Sequence, residues 1–246
     1  MDLVDIHSHA LYGVDDGPEN QIKMQEVVDA AYADGVRMIC LTPHFNPSFF
    51  GYPIEQAQTS FALLKAYVGE KYPDLKLILG NELRYSIDAP VWLVEGKCRT
   101  LGDTDYVLVD FFENEPEKTI VKGLRRLVAA GYKPILAHAE RYRKLPVKTV
   151  AAIARSGIWI QIDVQSIFGD YGGKAKRRCR RLLRKKLVDI AASDAHDVHH
   201  RPPTLSRGYR YVERKYGSKY AQAIFRKNPL GLLMSRSQEG TDTDYE

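Results

Sequence analysis

The sequence predicts one α/β domain, a parallel (β/α)7 barrel over residues 1–233 of 246, followed by an acidic tail at 234–246. Three observations lead there. Seven short β-type runs recur along the chain, and stretches of helical periodicity fill the intervals between them. Metal-type polar side chains stand at the ends of six of the seven runs. Regular alternation with connections of some 25 residues requires right-handed crossovers, and the nearly all-apolar runs require a sheet covered on both faces.

The elements follow in order. LVDIHSH (3–9) is the first run, and GVDDGP after it has the Asp and Gly typical of a turn. Residues 19–34 carry helical spacing and close on Gly35, before the second run VRMICLTPH (36–44). A helix over 54–70 leads to LKLILGNEL (75–83), and DYVLVDF (105–111) is the fourth run. A helix over 117–130 closes on Gly131 before KPILAHAE (133–140). GIWIQID (157–163) and LVDIAASDAH (187–196) complete the set. No Pro/Ser-rich linker or internal repeat divides them.

His9 ends the first run, His44 the second, Glu82 the third, Asp110 the fourth, His138 the fifth, and Asp194 with His196 the seventh. In a closed (β/α) barrel the carboxyl ends of the strands form the active-site face, so these residues would converge. His7 and His9 share a face because strand side chains alternate with period two. Alone, H-x-H equally fits two histidines satisfied by neighbouring carbonyls, but five of the seven histidines lie at strand ends. Glu82 and Asp110 follow apolar runs, where an unpaired carboxylate is costly. Glu82 could bridge two metals; Asp110 could instead cap a helix or pair with an arginine. By spacing alone Asp15 and Asp16 read as turn residues. Arg141 and Arg201 lie close after His138 and His196; each offers a planar fork to phosphate or serves a structural ion pair.

Imidazole and carboxylate ligands without thiolate suit Mn, Fe, Zn or Co, and a polynuclear site of this kind favours hydrolysis. Cys40, Cys98 and Cys179 lack CxxC spacing, and Asn46, Thr104 and Lys185 stand where a thiol phosphatase needs Arg. There is no GxSxG, GxGxxG or GxxxxGK[ST] motif. No apolar run approaches the length of a membrane span, and the expected location is cytoplasmic. The net charge of +5 is local: KAKRRCRRLLRKK (174–186) holds nine basic residues and no acid, leaving 27 basic against 31 acidic residues elsewhere. A mildly acidic body argues against a nucleic-acid-coating protein, and the basic run reads as an amphipathic helix with its leucines inward.

DIHSH, VDDGP, TPH, the Glu82 strand, HAERY, and ASDAH followed by RPP together resemble the PHP (polymerase and histidinol phosphatase) superfamily. Within it the chain is similar to the manganese-dependent protein-tyrosine phosphatases of Gram-positive capsule and exopolysaccharide operons. The resemblance implies a distorted TIM-like barrel of the PHP type and two or three Mn²⁺ ions. His7, His9, Glu82 and Asp194 would hold one ion, Glu82, Asp110 and His138 a second, and Asp16, His44 and His196 a third. It assigns Arg141 and Arg201 to the substrate phosphate. The implied partner is a phosphotyrosine protein, the C-terminal tail of a cognate bacterial tyrosine kinase. Histidinol phosphate or another small phosphomonoester is the alternative substrate, and a nuclease or phosphodiesterase a more distant one. Asp110 stands where such relatives place Glu, which would loosen the second metal, and IQIDVQSIF replaces a Thr/Ala/Gly-rich stretch. Phe45, Phe49, Phe50 and Tyr52 could wall a phosphotyrosine ring, and Tyr245 resembles an acidic phosphosite.

Overall fold

The computed structural model describes residues 2–48, 53–102 and 104–235. Phe49, Phe50, Tyr52 and Tyr245, with residues 236–246 of the acidic tail, lie outside the described residues. Among those described, nine strands run in chain order: β1 (Leu3–Ser8), β2 (Val36–Leu41), β3 (His44–Phe45), β4 (Lys76–Leu79), β5 (Glu82–Arg84), β6 (Tyr106–Asp110), β7 (Lys133–Leu136), β8 (Trp159–Asp163) and β9 (Ile190–Ala192). All pair in parallel, in the orders β1-β2-β4 and β3-β5-β6-β7-β8-β9.

The predicted runs 36–44 and 75–83 each divide in two, at the same level. Pro43 has no N–H to give a neighbour. The Gly80 amide donates to Leu41 O (2.8 Å) and the Asn81 side chain to Pro43 O (2.9 Å). Pairing therefore stops at Leu41↔Leu79 and resumes at His44↔Glu82. Gly80 permits the close crossing, since a Cβ there would lie 2.9 Å from a Leu101 methyl and 3.0 Å from Thr100 O. Two broken strands and five continuous ones thus supply the seven staves expected. The first and last staves meet through the Asp194 amide on His7 O (2.9 Å) and the His9 amide on Ala195 O (2.8 Å).

The outer layer consists of α1 (Gln21–Ala33), α2 (Ile54–Lys71), α3 (Ala89–Val94), α4 (Glu117–Ala129), α5 (Val147–Arg155), α6 (Val164–Phe168), α7 (Gly172–Arg184) and α8 (Leu205–Tyr216). Asn20 caps α1 by accepting from the Lys23 amide at 3.0 Å. The basic run forms α7 as expected, with Ala175, Cys179, Leu182 and Leu183 buried. Short α3 and α6 escape a periodicity reading, being too brief to show one.

Strand side chains alternate between two apolar layers. Leu3, Ile39, Val107, Leu136 and Ile162 face the helices. Val4, Ile6, Met38, Leu108, Ile135 and Ile190 fill the barrel, joined by Leu101, Leu232 and Leu233. The leucine pair comes from α10 (Asn228–Leu233), which follows α9 (Ser218–Gln222) and a π-helical turn at Ala223–Lys227. Arg226 pairs with Asp2 (2.9 Å) and Asn228 donates to Asp189 O (2.8 Å), so this segment closes the end where β1 and β9 begin. No helix among the described residues is long and apolar enough to cross a membrane. Phe45 is a correction: it is buried and meets Trp92 of α3 edge-on at 5.4 Å, so it packs the core instead of walling the mouth.

Leu232→Ala should destabilise the protein by about 3 kcal/mol, the usual cost of an internal cavity. Urea unfolding should show a lower midpoint with an unchanged slope; an unchanged midpoint would mean that the leucine does not plug the barrel.

Candidate metal centre

Alternation alone carries three acids into the barrel mouth. Leu108 faces inward, and so does Asp110; Ile190 and Ala192 precede Asp194; Gln161 precedes Asp163. Elsewhere the phase must be changed. Val4 and Ile6 point inward, so unbroken alternation would turn His7 and His9 toward the helices. The register slips between Asp5↔Ile39 and Ser8↔Leu41, three residues against two, and this bulge turns both imidazoles inward. Just past β7 the inward residue is Ala137, and His138 follows it into the mouth with φ +31°. Asp194 has φ +54°. Such left-handed backbone costs non-glycine residues about 1–3 kcal/mol and is held only where the surroundings dictate it.

The nine residues expected to bind metal converge. His7 Nε2 and His9 Nε2 are 3.1 Å apart, and each lies 3.3–3.4 Å from Glu82 Oε2 and Asp194 Oδ1. Nitrogen and oxygen ligands about 2.0–2.2 Å from one ion stand about 3–3.5 Å from each other, so these four donors match the spacing around a single cation. Glu82 Oε1 meets His138 Nε2 at 2.9 Å, and Asp110 Oδ1 is 3.6 Å from the same nitrogen. Asp16 Oδ1 lies 3.2 Å from His196 Nε2 and 3.6 Å from His44 Nε2. His44 Nδ1 also meets Glu82 at 2.8 Å, so His44 stands between the second and third sets. His9 groups with Asp16, His44 and His196 as well as with His7 and Asp194. Donors so close, with Glu82, Asp110 and Asp194 all buried, fit divalent cations well.

Protonation follows the same field. Burial raises Glu82, but His7 and His44 outweigh it and hold the carboxyl well below its usual range. Burial likewise opposes ionised Asp194, yet His7, Arg141 and Arg201 keep it strongly acidic. Burial and Arg141 disfavour a proton on His138, whereas Asp110 and Glu82 push it up to about 9. The carboxylates thus favour positive charge at His7, His9 and His138, whether from protons or metal ions.

Several contributors escaped the sequence reading. Asp15 accepts from His9 Nδ1 (2.7 Å), the His44 amide (2.9 Å) and the Gly17 amide (3.0 Å), which fixes the His9 ring with Nε2 toward the mouth. Gly17 is required because a Cβ there would fall 2.0 Å from His9 O. Arg84, on the same face of β5 as Glu82, holds Asp110 at 2.5 Å. Asp163 ends the sixth stave, fully buried, and holds Arg141 at 2.6 Å. The strand-end signal that singled out the other staves was present there too. Tyr171 carried no signal; its ring lies under Arg141 (4.1 Å) and its hydroxyl accepts from Arg201 Nε (3.1 Å).

Arg141 and Arg201 both bond Asp194 Oδ2, the oxygen turned away from His7 and His9. Arg201 Nη1 also reaches His196 Nε2 at 2.8 Å. Each guanidinium is in part a structural ion pair, as the alternative held, yet both stay partly open to solvent. His199 and His200 remain exposed, their amides turned to Asp197.

Comparison with known proteins gives a consistent picture. The sequence profile of the family described as capsular polysaccharide synthesis, CpsB/CapC, matches residues 3–234. Tyrosine-protein phosphatase CpsB of Streptococcus pneumoniae is 32% identical over 241 residues, covering 95% of this chain and 99% of that protein. Tyrosine-protein phosphatase YwqE of Bacillus subtilis is 29% identical over 220 residues, 88% of this chain and 86% of that protein. A solved structure from work on YwqE and CpsB, described as unique metal-dependent tyrosine phosphatases, superposes with a TM-score of 0.85 at 27% identity over 95% of each chain. A histidinol phosphate phosphatase of Lactococcus lactis superposes at 0.57 with 15% identity, over 88% of this chain and 94% of that one, a likeness of fold alone.

Asp15→Asn should lower metal affinity about 10–100-fold by loosening the His9 ring. Calorimetric titration of chelator-treated protein measures this, and unchanged affinity would remove Asp15 from the site.

Proposed function

The chain belongs to the CpsB/CapC family of capsular polysaccharide synthesis, and on that premise we propose that it is a metal-dependent tyrosine-protein phosphatase. The observation that carries the reading is the meeting, at one Asp194 carboxylate, of a dense imidazole–carboxylate cluster and two arginines. Metal donors on one side and anion-binding forks on the other suit hydrolysis of a phosphomonoester.

In this reading His7, His9, Glu82 and Asp194 would hold one metal, Glu82, Asp110 and His138 a second, and Asp16, His44 and His196 a third. Mn²⁺ is the assigned ion, consistent with a donor set of nitrogen and oxygen without sulfur. When bound, such ions supply Lewis acidity that lowers the pKa of water and offsets charge on phosphoryl oxygens. Arg141 and Arg201 bind the phosphate oxygens from the open side and counter the charge that grows in the transition state. Asp163 and the Tyr171 ring fix Arg141, and the Tyr171 hydroxyl fixes Arg201, so the forks are aligned before substrate arrives. Asp15 and Arg84 orient His9 and Asp110. Tyrosinate, with a pKa of about 10, leaves readily enough that no dedicated acid is required. The proposed substrate is the phosphorylated C-terminal tail of a cognate bacterial tyrosine kinase, whose dephosphorylation regulates capsular or exopolysaccharide synthesis.

Protein stripped of metal should be inactive on a phosphotyrosyl peptide and be restored best by Mn²⁺ among Mn²⁺, Zn²⁺, Fe²⁺ and Co²⁺. Turnover of histidinol phosphate with none of the peptide would overturn the assignment. Arg141→Ala and Arg201→Ala should each lower kcat/KM about 10²–10³-fold with metal content unchanged; metal analysis beside steady-state kinetics tests both halves of that statement.

A further inference from the structure

A groove of about 1030 Å³ opens beside the phosphate-binding arginines, and Arg141 and Tyr171 line its inner end. One wall is α7, where Lys174, Arg177, Arg178 and Arg181 recur at helical spacing and share a face. Opposite lie Arg143 and, on the first turn of α5, Lys148. Lys148, Lys174, Arg177 and Arg181 are exposed and, among the described residues, enter no ion pair. Two acids line the groove: Glu113 pairs with Arg143 (3.2 Å), and Glu140 is buried, accepting from the Asp163 amide (3.0 Å).

The wall is fixed to the catalytic loop. Arg178 bonds the carbonyls of Ala139 (3.3 Å), Glu140 (3.0 Å) and Leu145 (2.6 Å), which ties α7 to both flanks of Arg141. A solvated face would need no such anchor. Here the cations are held at a set distance from the arginine that receives the phosphate.

We propose that this groove is a docking site for acidic residues flanking the phosphotyrosine of the substrate, so that the α7 cations set which phosphotyrosines are chosen. This rests on the phosphotyrosine assignment above. Each exposed pair contributes modestly, so two or three together give about a fivefold preference, which fades as salt rises.

The test compares two phosphotyrosyl peptides that differ only in carrying Asp and Glu, or Asn and Gln, beside the tyrosine. Para-nitrophenyl phosphate serves as a substrate too small to reach the groove. At about 0.15 M salt the acidic peptide should show a KM about fivefold lower than the neutral one, with similar kcat. In Arg177→Gln/Arg181→Gln the difference should vanish while para-nitrophenyl phosphate turnover is unchanged, which also shows that the variant is folded; Lys148→Gln, on the opposite wall, should reduce it in part. Equal KM values in the unmodified protein, or a variant that raises both KM values alike, overturn the proposal. Fluorescence anisotropy with unphosphorylated versions of both peptides separates the two readings. Groove-dependent binding of the acidic peptide with no phosphotyrosine turnover would refute the phosphatase and keep the groove, and tighter binding of a mixed-sequence oligonucleotide would refute the groove.

Discussion

The Glu82 side chain is 1% exposed, and its two oxygens face imidazoles from three staves: His7 of β1 and His9 just after it, His44 of β3 and His138 after β7. An ionised carboxylate removed from water costs several kcal/mol unless opposite charge surrounds it. The barrel is built to supply that charge. The paired break at Pro43 and Gly80 restarts β3 and β5 in register, His44 beside Glu82. The bulge in β1 turns two histidines inward, and the left-handed backbone at His138 brings in a third imidazole. The paired break, the histidine-turning bulge and the left-handed residues lie at the mouth; β1 slips register once more at its start, between Leu3↔Val36 and Val4↔Met38.

This contrast explains what could be read in advance. The seven runs and the helices between them were visible because apolar strands and 3.6-residue periodicity reflect burial, which spans many residues. The convergence of His9, His44, Glu82, Asp110, His138, Asp194 and His196 was visible because a polar group ending an apolar run is costly without a partner. The phase of the side chains was not visible. Strands buried on both faces carry apolar residues at every position, so nothing in LVDIHSH reveals the extra residue that turns the histidines round. Phe45 was misplaced for the same reason, since an aromatic after a histidine fits either a rim or a core. Asp163 could have been found by the rule that found its neighbours, but its partner is Arg141 rather than an imidazole. Tyr171 and the anchoring of Arg178 depend on tertiary contacts that no local pattern records.

The two arginines link the two halves of the electrostatics. Asp194 offers Oδ1 to the imidazoles and Oδ2 to Arg141 and Arg201, so one carboxylate joins the donor cluster to the two guanidiniums. Asp163 and Tyr171 hold the guanidiniums from behind, and α7 continues the positive field outward from Arg141 along one helix face. The net charge of +5 is therefore an organised quantity: the basic run lies beside the mouth, and the acids are spread over the remaining body.

The joint between the first and last staves has a consequence for how the protein is made. His7 and Asp194 approach to 3.3 Å although about three-quarters of the chain separates them in sequence, and the leucines that plug the barrel come later still. A nascent chain on the ribosome can present His7, His9, His44, Glu82 and Asp110 well before it has Asp194 or the plug. Contacts this distant form late, because loop closure must precede them. The first four-donor cluster is complete only once the last stave has emerged, so its geometry closes only when the barrel does.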